Sequence, residues 1–294
     1  MLLDTSIRFP NLGIEIGQLG TGISLFGIEI AYYGIIIACG MLAGFYLVEW
    51  QAKRTGQQKE LYLDFAIYAI IASIVGARLY YVIFSFDEFK DDLLSILNLR
   101  TGGLAIYGGI IAGVLAGIIF TKVKKVSFAL LADTCSVGLL LGQILGRWGN
   151  FFNREAFGGY SDGLLAMQIN KAEVASSNIT QELLDHVVRI KGIEYIQVHP
   201  TFLYESLWNL ILLILILLYT KHKKFDGELF IFYVIGYGVG RTWIESLRTD
   251  QLLLWGTNLA VSELLSITIV IVAIGIWIAK RTKIGKNKEN KNRQ

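Results

Sequence analysis

The sequence predicts an all-α, polytopic membrane protein with seven transmembrane helices. The chain has 294 residues, of which 54% are hydrophobic and only 17% are charged, whereas a soluble domain has roughly 25% charged residues. The mean hydropathy is +0.53. The apolar residues fall into stretches close to the roughly 20 residues that a membrane-spanning helix needs. Together these observations exclude a soluble globular class.

The segment before the first span has a different character. It mixes charged and apolar side chains and has no basic segment ahead of an apolar core, so we expect no cleavable signal peptide. Five glycines between residues 13 and 30 disfavour a regular helix. We assign this segment no regular structure; an interfacial or re-entrant segment would suit it.

Seven stretches are predicted to cross the membrane: residues 30–48, 61–84, 103–121, 128–146, 202–219, 229–245 and 259–279. Lysine and arginine are concentrated after the first, third, fifth and seventh of these, and acidic residues dominate after the second. Because cytoplasmic loops are rich in Lys and Arg, we expect the N-terminus outside and the C-terminus in the cytoplasm. Residues 147–199 would then be an extracytoplasmic excursion of a membrane domain spanning residues 1–282. Residues 283–294 would form a disordered, basic cytoplasmic tail.

Three arginines lie in or at the ends of predicted spans: Arg78, Arg147 and Arg241. Each costs roughly 2.5–3.5 kcal/mol in the hydrocarbon region, so the uncompensated cost of all three is on the order of 10 kcal/mol, comparable to the stability of a whole domain. Carboxylates or a bound anion must offset these charges. The candidate carboxylates are Glu155, Glu205 and Glu245, and for Arg78 also Asp133.

Arg147 lies in the most polar stretch of the chain, residues 142–155. A structural ion pair inside the membrane is one interpretation of such an arginine. Two arginines at the depth of the outer leaflet favour an anion site instead, because the guanidinium fork matches phosphate oxygens. The anion available at that depth is a phospholipid headgroup. Asn150 and Asn153 could then orient its glycerol hydroxyls.

Three tyrosines are further candidates. Tyr33 and Tyr237 put phenol groups inside predicted spans, where an interfacial aromatic belt is the alternative interpretation. Tyr107 lies between two glycine pairs, in a segment typical of a flexible site loop. Glycines 109, 113 and 117 recur every four residues, which predicts close helix packing.

Five motifs, in order along nearly the whole chain, resemble the prolipoprotein diacylglyceryl transferase family. They are YYG (32–34), GGLAIYGG (102–109), GRWGNFFNRE (146–155), HPTFLYE (199–205) and YGVGRTWIESLRTD (237–250). The resemblance implies a bacterial inner-membrane enzyme. It would transfer the diacylglyceryl group of phosphatidylglycerol to the thiol of the lipobox cysteine in a preprolipoprotein signal peptide, and release glycerol phosphate.

The resemblance also implies roles for individual residues. Arg147 and Arg241 would bind the phosphate and act in catalysis, together with Tyr107 and Glu155. The substrate-binding set that we predict is Arg147, Asn150, Asn153, Tyr33, Tyr237, Glu205, Glu245 and His199.

Tyr107 departs from the family pattern, because many members have at this position a histidine that is regarded as the general base. A phenol of pKa about 10 is a poor base at pH 7, so we expect Tyr107 to donate a hydrogen bond, with His199 as an alternative base. A strong base is not needed if Arg147 and Arg241 lower the pKa of the acceptor thiol, which is ordinarily near 8.5.

Two other classes of protein fit parts of the pattern. An anion transporter or channel would use intramembrane arginines, although the chain shows no internal repeat. A non-catalytic protein that binds phosphatidylglycerol would retain the lipid without turnover. An intramembrane metalloprotease is excluded because the sequence contains no HExxH motif. We expect no metal, no redox cofactor and no nucleic-acid partner.

Overall fold

The computed structural model describes residues 5–25, 27–99, 102–254, 257 and 260–292. Eight α-helices occur in these residues: α1 (Tyr32–Arg54), α2 (Lys59–Phe84), α3 (Ile106–Lys124), α4 (Phe128–Asn153), α5 (Gln181–Asp185), α6 (Thr201–Tyr219), α7 (Glu228–Glu245) and α8 (Val261–Asn292). Six of them, α1 to α4, α6 and α8, are long and apolar enough to cross a membrane. The protein is therefore a multi-pass membrane protein.

Helix α7 corresponds to the remaining predicted span. Its 18 residues include three charged ones, Glu228, Arg241 and Glu245, so composition alone does not mark it as a membrane helix. Every other predicted span coincides with a helix. The start of the last one, at residue 259, lies outside the described residues.

Two helices continue beyond their predicted ends. Helix α4 extends to Asn153, so the motif at 146–155 is mostly helical. Helix α8 extends to Asn292. The prediction of a disordered tail is wrong up to that residue, and Arg293 and Gln294 lie outside the described residues.

The prediction of an all-α class is confirmed only in part. The chain is mostly helical, but the described residues also contain seven strands: β1 (Ile7–Phe9), β2 (Ile14–Ile16), β3 (Gly22–Leu25), β4 (Ile28–Ala31), β5 (Met167–Asn170), β6 (Val188–Ile190) and β7 (Ile193–Val198). Strands β3 and β4 form a hairpin, and the others form an antiparallel sheet in the order β2-β1-β5-β7-β6. Each strand has only three to six residues, too few for a clear alternation of polar and apolar side chains.

The five-stranded sheet joins distant parts of the sequence. Ile7 pairs with Ile169 across β1 and β5, so the N-terminal segment completes a sheet otherwise built from the excursion before α6. Its apolar core is formed by Ile7, Phe9, Phe151, Phe157, Met167, Ile169, Leu183, Ile196, Val198 and Phe202. Phe151 and Phe202 belong to α4 and α6, and the sheet is thereby packed on the ends of the two helices that bear Arg147 and Glu205.

The chain forms two compact units. The first comprises residues 1–44, 136–224 and 228–294, and the second comprises residues 45–135 and 225–227. In the second unit α2 packs along α3: a side-chain carbon at Gly109 would lie 3.3 Å from the Ser73 carbonyl oxygen, and one at Gly113 would lie 2.9 Å from the Ser73 hydroxyl. The close packing that the glycine spacing predicts is confirmed.

Candidate active site

A buried carboxylate joins two arginines from different helices. Glu205, on the second turn of α6, is only 4% exposed. Its Oε2 atom lies 2.6 Å from Nη2 of Arg147 on α4, and its Oε1 atom accepts a hydrogen bond of 3.0 Å from Nη1 of Arg241 on α7. Arg147 is six residues before the end of α4, which is about 9 Å along the helix axis. The two guanidinium groups therefore converge on one point near the end of the helix bundle.

Glu245 extends this arrangement at the end of α7. Its Oε2 atom accepts a hydrogen bond from Nη2 of Arg241, one helical turn away, and its Oε1 atom accepts one of 2.6 Å from the hydroxyl of Ser262 on α8. We call Arg147, Glu205, Arg241 and Glu245 the ion cluster. It contains two positive and two negative charges. Since breaking a buried pair by removing one partner typically costs 3–5 kcal/mol, the cluster strongly constrains α4, α6 and α7.

Arg248 is a neighbour of the ion cluster that the sequence analysis overlooked. It lies 3.7 Å from Glu245 and donates two hydrogen bonds, of 2.8 and 2.7 Å, to the carboxylate of Asp250. Burial by itself raises the pKa of Asp250, but the hydrogen bonds and charge of Arg248 outweigh it and hold that pKa below its usual range. The signal was present in the sequence, since Arg248 follows Glu245 by three residues in the same motif.

Glu155 does not contact an arginine of the ion cluster among the described residues. It is exposed and accepts hydrogen bonds from the amides of Asn150, at 2.9 Å, and Asn153, at 3.4 Å. The two asparagines, which we expect to orient glycerol hydroxyls, both donate to the Oε1 atom of Glu155. These three side chains lie at the end of α4, three to eight residues after Arg147.

Tyr33 packs on the backbone of α4 between Arg147 and Asn150. Its side chain lies on the first turn of α1 and is 38% exposed. A side-chain carbon at Gly149 would lie 2.6 Å from Cδ2 of the Tyr33 ring. Only glycine at 149 therefore allows the ring this position.

Tyr237 lies one helical turn before Arg241 on α7. Its ring stacks on Tyr233 with the centroids 5.9 Å apart. Tyr233 in turn accepts a hydrogen bond of 2.9 Å from the amide of Gln143, which lies one turn before Arg147 on α4. Neutral polar groups thus lie one turn before each arginine of the ion cluster, Gln143 on α4 and Tyr237 on α7.

His199 lies where the excursion re-enters the helices. Its Nδ1 atom is 3.2 Å from the hydroxyl of Tyr204. Its backbone exchanges hydrogen bonds of 3.0 Å with Gly158 and Gly159, and Gly159 also donates to Leu247 at 2.9 Å. Burial lowers the pKa of His199 below its ordinary value, so the imidazole is neutral at pH 7 and could accept a proton.

Tyr107 belongs to the second unit, whereas the ion cluster belongs to the first. It lies on the first turn of α3 and is 48% exposed. No hydrogen bond to its hydroxyl occurs within the residues that the structure describes. The hydroxyl is therefore available to an external partner.

Comparison with known proteins agrees with the motifs. Residues 21–279 match the family model of prolipoprotein diacylglyceryl transferase. The chain is 40% identical over 291 residues to a phosphatidylglycerol–prolipoprotein diacylglyceryl transferase of Bacillus cytotoxicus, with 97% of each chain covered. It is 39% identical over 261 residues to a protein of that name from Clostridioides difficile, covering 88% of this chain and 95% of the relative. The protein of Oceanobacillus iheyensis with the same name is 39% identical over 286 residues, covering 97% of this chain and 93% of the relative. This chain therefore belongs to the prolipoprotein diacylglyceryl transferase family.

Proposed function

We propose that the protein transfers the diacylglyceryl group of phosphatidylglycerol to the thiol of the lipobox cysteine in preprolipoproteins and releases glycerol phosphate. This is the first step of bacterial lipoprotein maturation. The observation that best supports it is the convergence of Arg147 and Arg241 on the single carboxylate of Glu205. The relatives named above are called after the same lipid and the same protein substrate.

Arg147 is the arginine better suited to take up a phosphate first. A guanidinium group has five N–H donors, and Glu205 is its only ion-pair or hydrogen-bond partner within the described residues. The 2.6 Å contact between Nη2 of Arg147 and Oε2 of Glu205 is an ion pair but is not aligned as a hydrogen bond. Oε2 of Glu205 therefore has no hydrogen-bond partner among the described residues. Arg241 is more fully engaged, with hydrogen bonds to Glu205 and Glu245. Arg147 can therefore turn donors toward a phosphodiester while Arg241 keeps the cluster assembled.

In the proposed reaction the thiolate sulfur attacks the carbon of the diacylglyceryl group that is bonded to the phosphate oxygen. The new carbon–sulfur bond forms as the carbon–oxygen bond to phosphate breaks, and the electron pair leaves with glycerol phosphate. The phosphate changes from a diester of charge −1 to a monoester approaching −2. Arginines on this phosphate bind the transition state more strongly than the substrate, which is the condition for catalysis.

The proton of the thiol has two routes in this proposal. Two arginines lower the pKa of the thiol, which is ordinarily near 8.5, so the thiolate can form without a strong base and the leaving phosphate takes up the proton. Neutral His199 is the alternative acceptor. In the remaining roles, Tyr107 donates a hydrogen bond, Asn150, Asn153 and Glu155 shape the outer end of the site, and Tyr33, Tyr237 and Glu245 line it.

We also propose seven spans, with α7 as the one added to the six apolar helices, an external N-terminus and a cytoplasmic C-terminus in the bacterial inner membrane. The charges of α7 are neutralised within the protein: Arg241 pairs with Glu205 and Glu245, and Glu228 accepts hydrogen bonds from Trp277 and Arg281 on α8. Such pairing is what allows charged residues at membrane depth. Residues 1–282 would form the membrane domain, with residues 147–199 on the outer face and residues 283–294 in the cytoplasm.

A reconstituted assay tests the proposal. Purified protein in vesicles containing phosphatidylglycerol is given a lipobox peptide with Cys or with Ser at the acceptor position, and peptide mass and glycerol phosphate are followed. We expect a diacylglyceryl mass increase on the Cys peptide alone, with an equal amount of glycerol phosphate. Binding of phosphatidylglycerol without any mass increase would favour the non-catalytic lipid-binding alternative.

A further inference from the structure

Arg78 on α2 is buried, with 6% exposure, yet it does not belong to the ion cluster. Its guanidinium group donates five hydrogen bonds of 2.8–3.1 Å, all to backbone carbonyl oxygens. The acceptors are Ser95, Ile96, Asn98, Gly102 and Gly103. An arginine has five N–H donors, so every donor of Arg78 is hydrogen-bonded to a carbonyl of the same stretch of chain.

No carboxylate pairs with Arg78 within the described part of the chain. Asp133, the partner suggested by the sequence, instead accepts a hydrogen bond of 2.8 Å from the backbone of Gly227. Ser95 and Ile96 belong to a short 3₁₀ helix (Leu93–Leu97), and the other three acceptors follow it. Carbonyl oxygens that face neither water nor a partner in a regular element need other donors. Arg78 therefore serves as the common donor that holds the carbonyls of residues 95–98 and 102–103 around one guanidinium group.

The two residues before Arg78 hold the start of α3. The Ala77 carbonyl accepts a hydrogen bond of 3.0 Å from the Ala105 backbone N–H. A side-chain carbon at Gly76 would lie 2.7 Å from the Gly108 carbonyl oxygen, so the two backbones are in contact there. Three consecutive residues of α2 thus fix the chain immediately before and after Tyr107.

We propose that Arg78 is a positioning residue for the transfer reaction: by binding the carbonyls of residues 95–98 and 102–103 it sets where the first turn of α3 presents Tyr107. This inference rests on the proposed function, in which Tyr107 donates a hydrogen bond to the substrate. The phenol is half exposed and has no hydrogen bond among the described residues. Its position is therefore determined by the backbone that bears it, and that backbone is held by Arg78, Ala77 and Gly76.

The test is a double-mutant cycle with Arg78→Lys and Tyr107→Ala in the reconstituted assay. An ammonium has three donors on one atom and cannot reproduce five hydrogen bonds in the fork geometry of a guanidinium. We expect Arg78→Lys to lower kcat by up to about tenfold, and by no more than Tyr107→Ala does, with KM for phosphatidylglycerol changed by less than about threefold. The double variant should be within about twofold of Tyr107→Ala, because residues acting in one chain of contacts are not additive. Arg189→Lys, at an exposed pair with Glu194, is the control.

A glycine pair provides a second measurement if Arg78→Lys does not fold. Gly103 has φ +74°, and a side-chain carbon there would lie 2.4 Å from Nη1 of Arg78; Gly56 has the same φ of +74° but nothing within 4 Å. The two alanine substitutions therefore share the backbone strain and differ in the clash. We expect Gly103→Ala to reproduce the loss of kcat and its non-additivity with Tyr107→Ala, and Gly56→Ala to leave both unchanged.

Losses that multiply, or a Tyr107→Ala variant as active as the unmodified protein, would overturn the inference. Failure of the proposed function would appear differently, as no transfer by the unmodified protein.

Discussion

Arg147 Nη2 lies 2.6 Å from Glu205 Oε2, although the two residues belong to different helices and are 58 positions apart in the chain. The second oxygen of the same carboxylate is bonded to Arg241. One buried carboxylate thus holds together two cations that would repel each other without it. In the proposed function, the phosphodiester of the substrate joins this arrangement as a third anionic group beside Glu205 and Glu245.

Replacing Arg147 by alanine should abolish transfer while leaving the protein inserted and folded. Arg241 still neutralises Glu205 in this variant, so the fold keeps its central ion pair. Loss of one preorganised donor to the transition state reduces turnover by roughly 10²–10³. The reconstituted assay measures this, with Arg189→Ala as a matched control at an exposed position. Activity of Arg147→Ala close to that of the unmodified protein would show that Arg147 does not bind the phosphate.

Replacing Glu205 by glutamine should destabilise the protein and make its stability depend on the lipid. Two partly buried guanidinium groups lose the buried counter-ion that they share, and breaking such a pair costs about 3–5 kcal/mol. The phosphodiester of phosphatidylglycerol supplies the missing negative charge, so we expect this lipid to raise Tm more in Glu205→Gln than in the unmodified protein. Neutral diacylglycerol should have no such effect.

The control for that experiment is Glu194→Gln, where a partly exposed carboxylate pairs with Lys171 and Arg189 outside the ion cluster. It should lower Tm only slightly and respond to both lipids as the unmodified protein does. An equal response of Glu205→Gln to both lipids would argue against phosphate binding at the ion cluster.

Replacing Tyr107 by phenylalanine should reduce kcat by no more than about tenfold, or about 1.4 kcal/mol, if the phenol only donates a hydrogen bond. The ring is retained, so the substitution removes only the hydroxyl. Steady-state kinetics on the Cys peptide measures the effect. A loss of several orders of magnitude would identify the hydroxyl as essential to the chemistry.

Replacing Gly149 by alanine should displace the Tyr33 ring and reduce activity, because the added carbon would come within 2.6 Å of that ring. In a Tyr33→Ala background the same substitution should have little further effect. Gly275→Ala is the control, since nothing lies within 4 Å of the carbon added to that helix. Equal losses from Gly149→Ala in both backgrounds would show that the contact with Tyr33 is not the cause.

The stability of the protein should depend on pH through His199. Burial lowers its pKa in the folded state, so below the ordinary histidine pKa of about 6.5 the unfolded state binds more protons than the folded one. This contribution to stability is complete above pH of about 6.5 and is lost as the pH falls toward the lowered folded value. Thermal unfolding of the detergent-solubilised protein between pH 5 and 8 should show a smaller decline for His199→Gln. Identical declines would contradict this assignment.

Local sequence was a good guide wherever a helix packs in an apolar environment. The predicted spans coincide with helices, and the glycines at 109 and 113 lie against α2. Glu245, one of the candidate carboxylates, pairs with Arg241 four residues before it on the same helix. Each of these depends on spacing within a single element, which periodicity and composition report directly.

The strands were not predicted, because their pairing depends on residues far apart in the chain. Ile7 and Arg8 pair with residues 168–169 of a strand about 160 positions later, and strands of three or four residues are too short to show an alternating pattern. The partner of Arg78 was missed for a similar reason, because backbone carbonyls leave no trace in the sequence. Five of them, from residues 95 to 103, accept the hydrogen bonds of Arg78, for which the sequence suggested a carboxylate or a bound anion.

The sequence by itself determined that this is a polytopic membrane protein with costly buried arginines and the motifs of one enzyme family, because hydropathy, charge and motif order are properties of the linear chain. Only the tertiary structure decided which groups meet: Glu205 with both Arg147 and Arg241, Glu155 with two asparagines, and Arg78 with five backbone carbonyl oxygens. The physical reason is that a buried charge selects its partner by distance and direction in space. Helices α4, α6 and α7 bring Arg147, Glu205 and Arg241 together from distant parts of the chain.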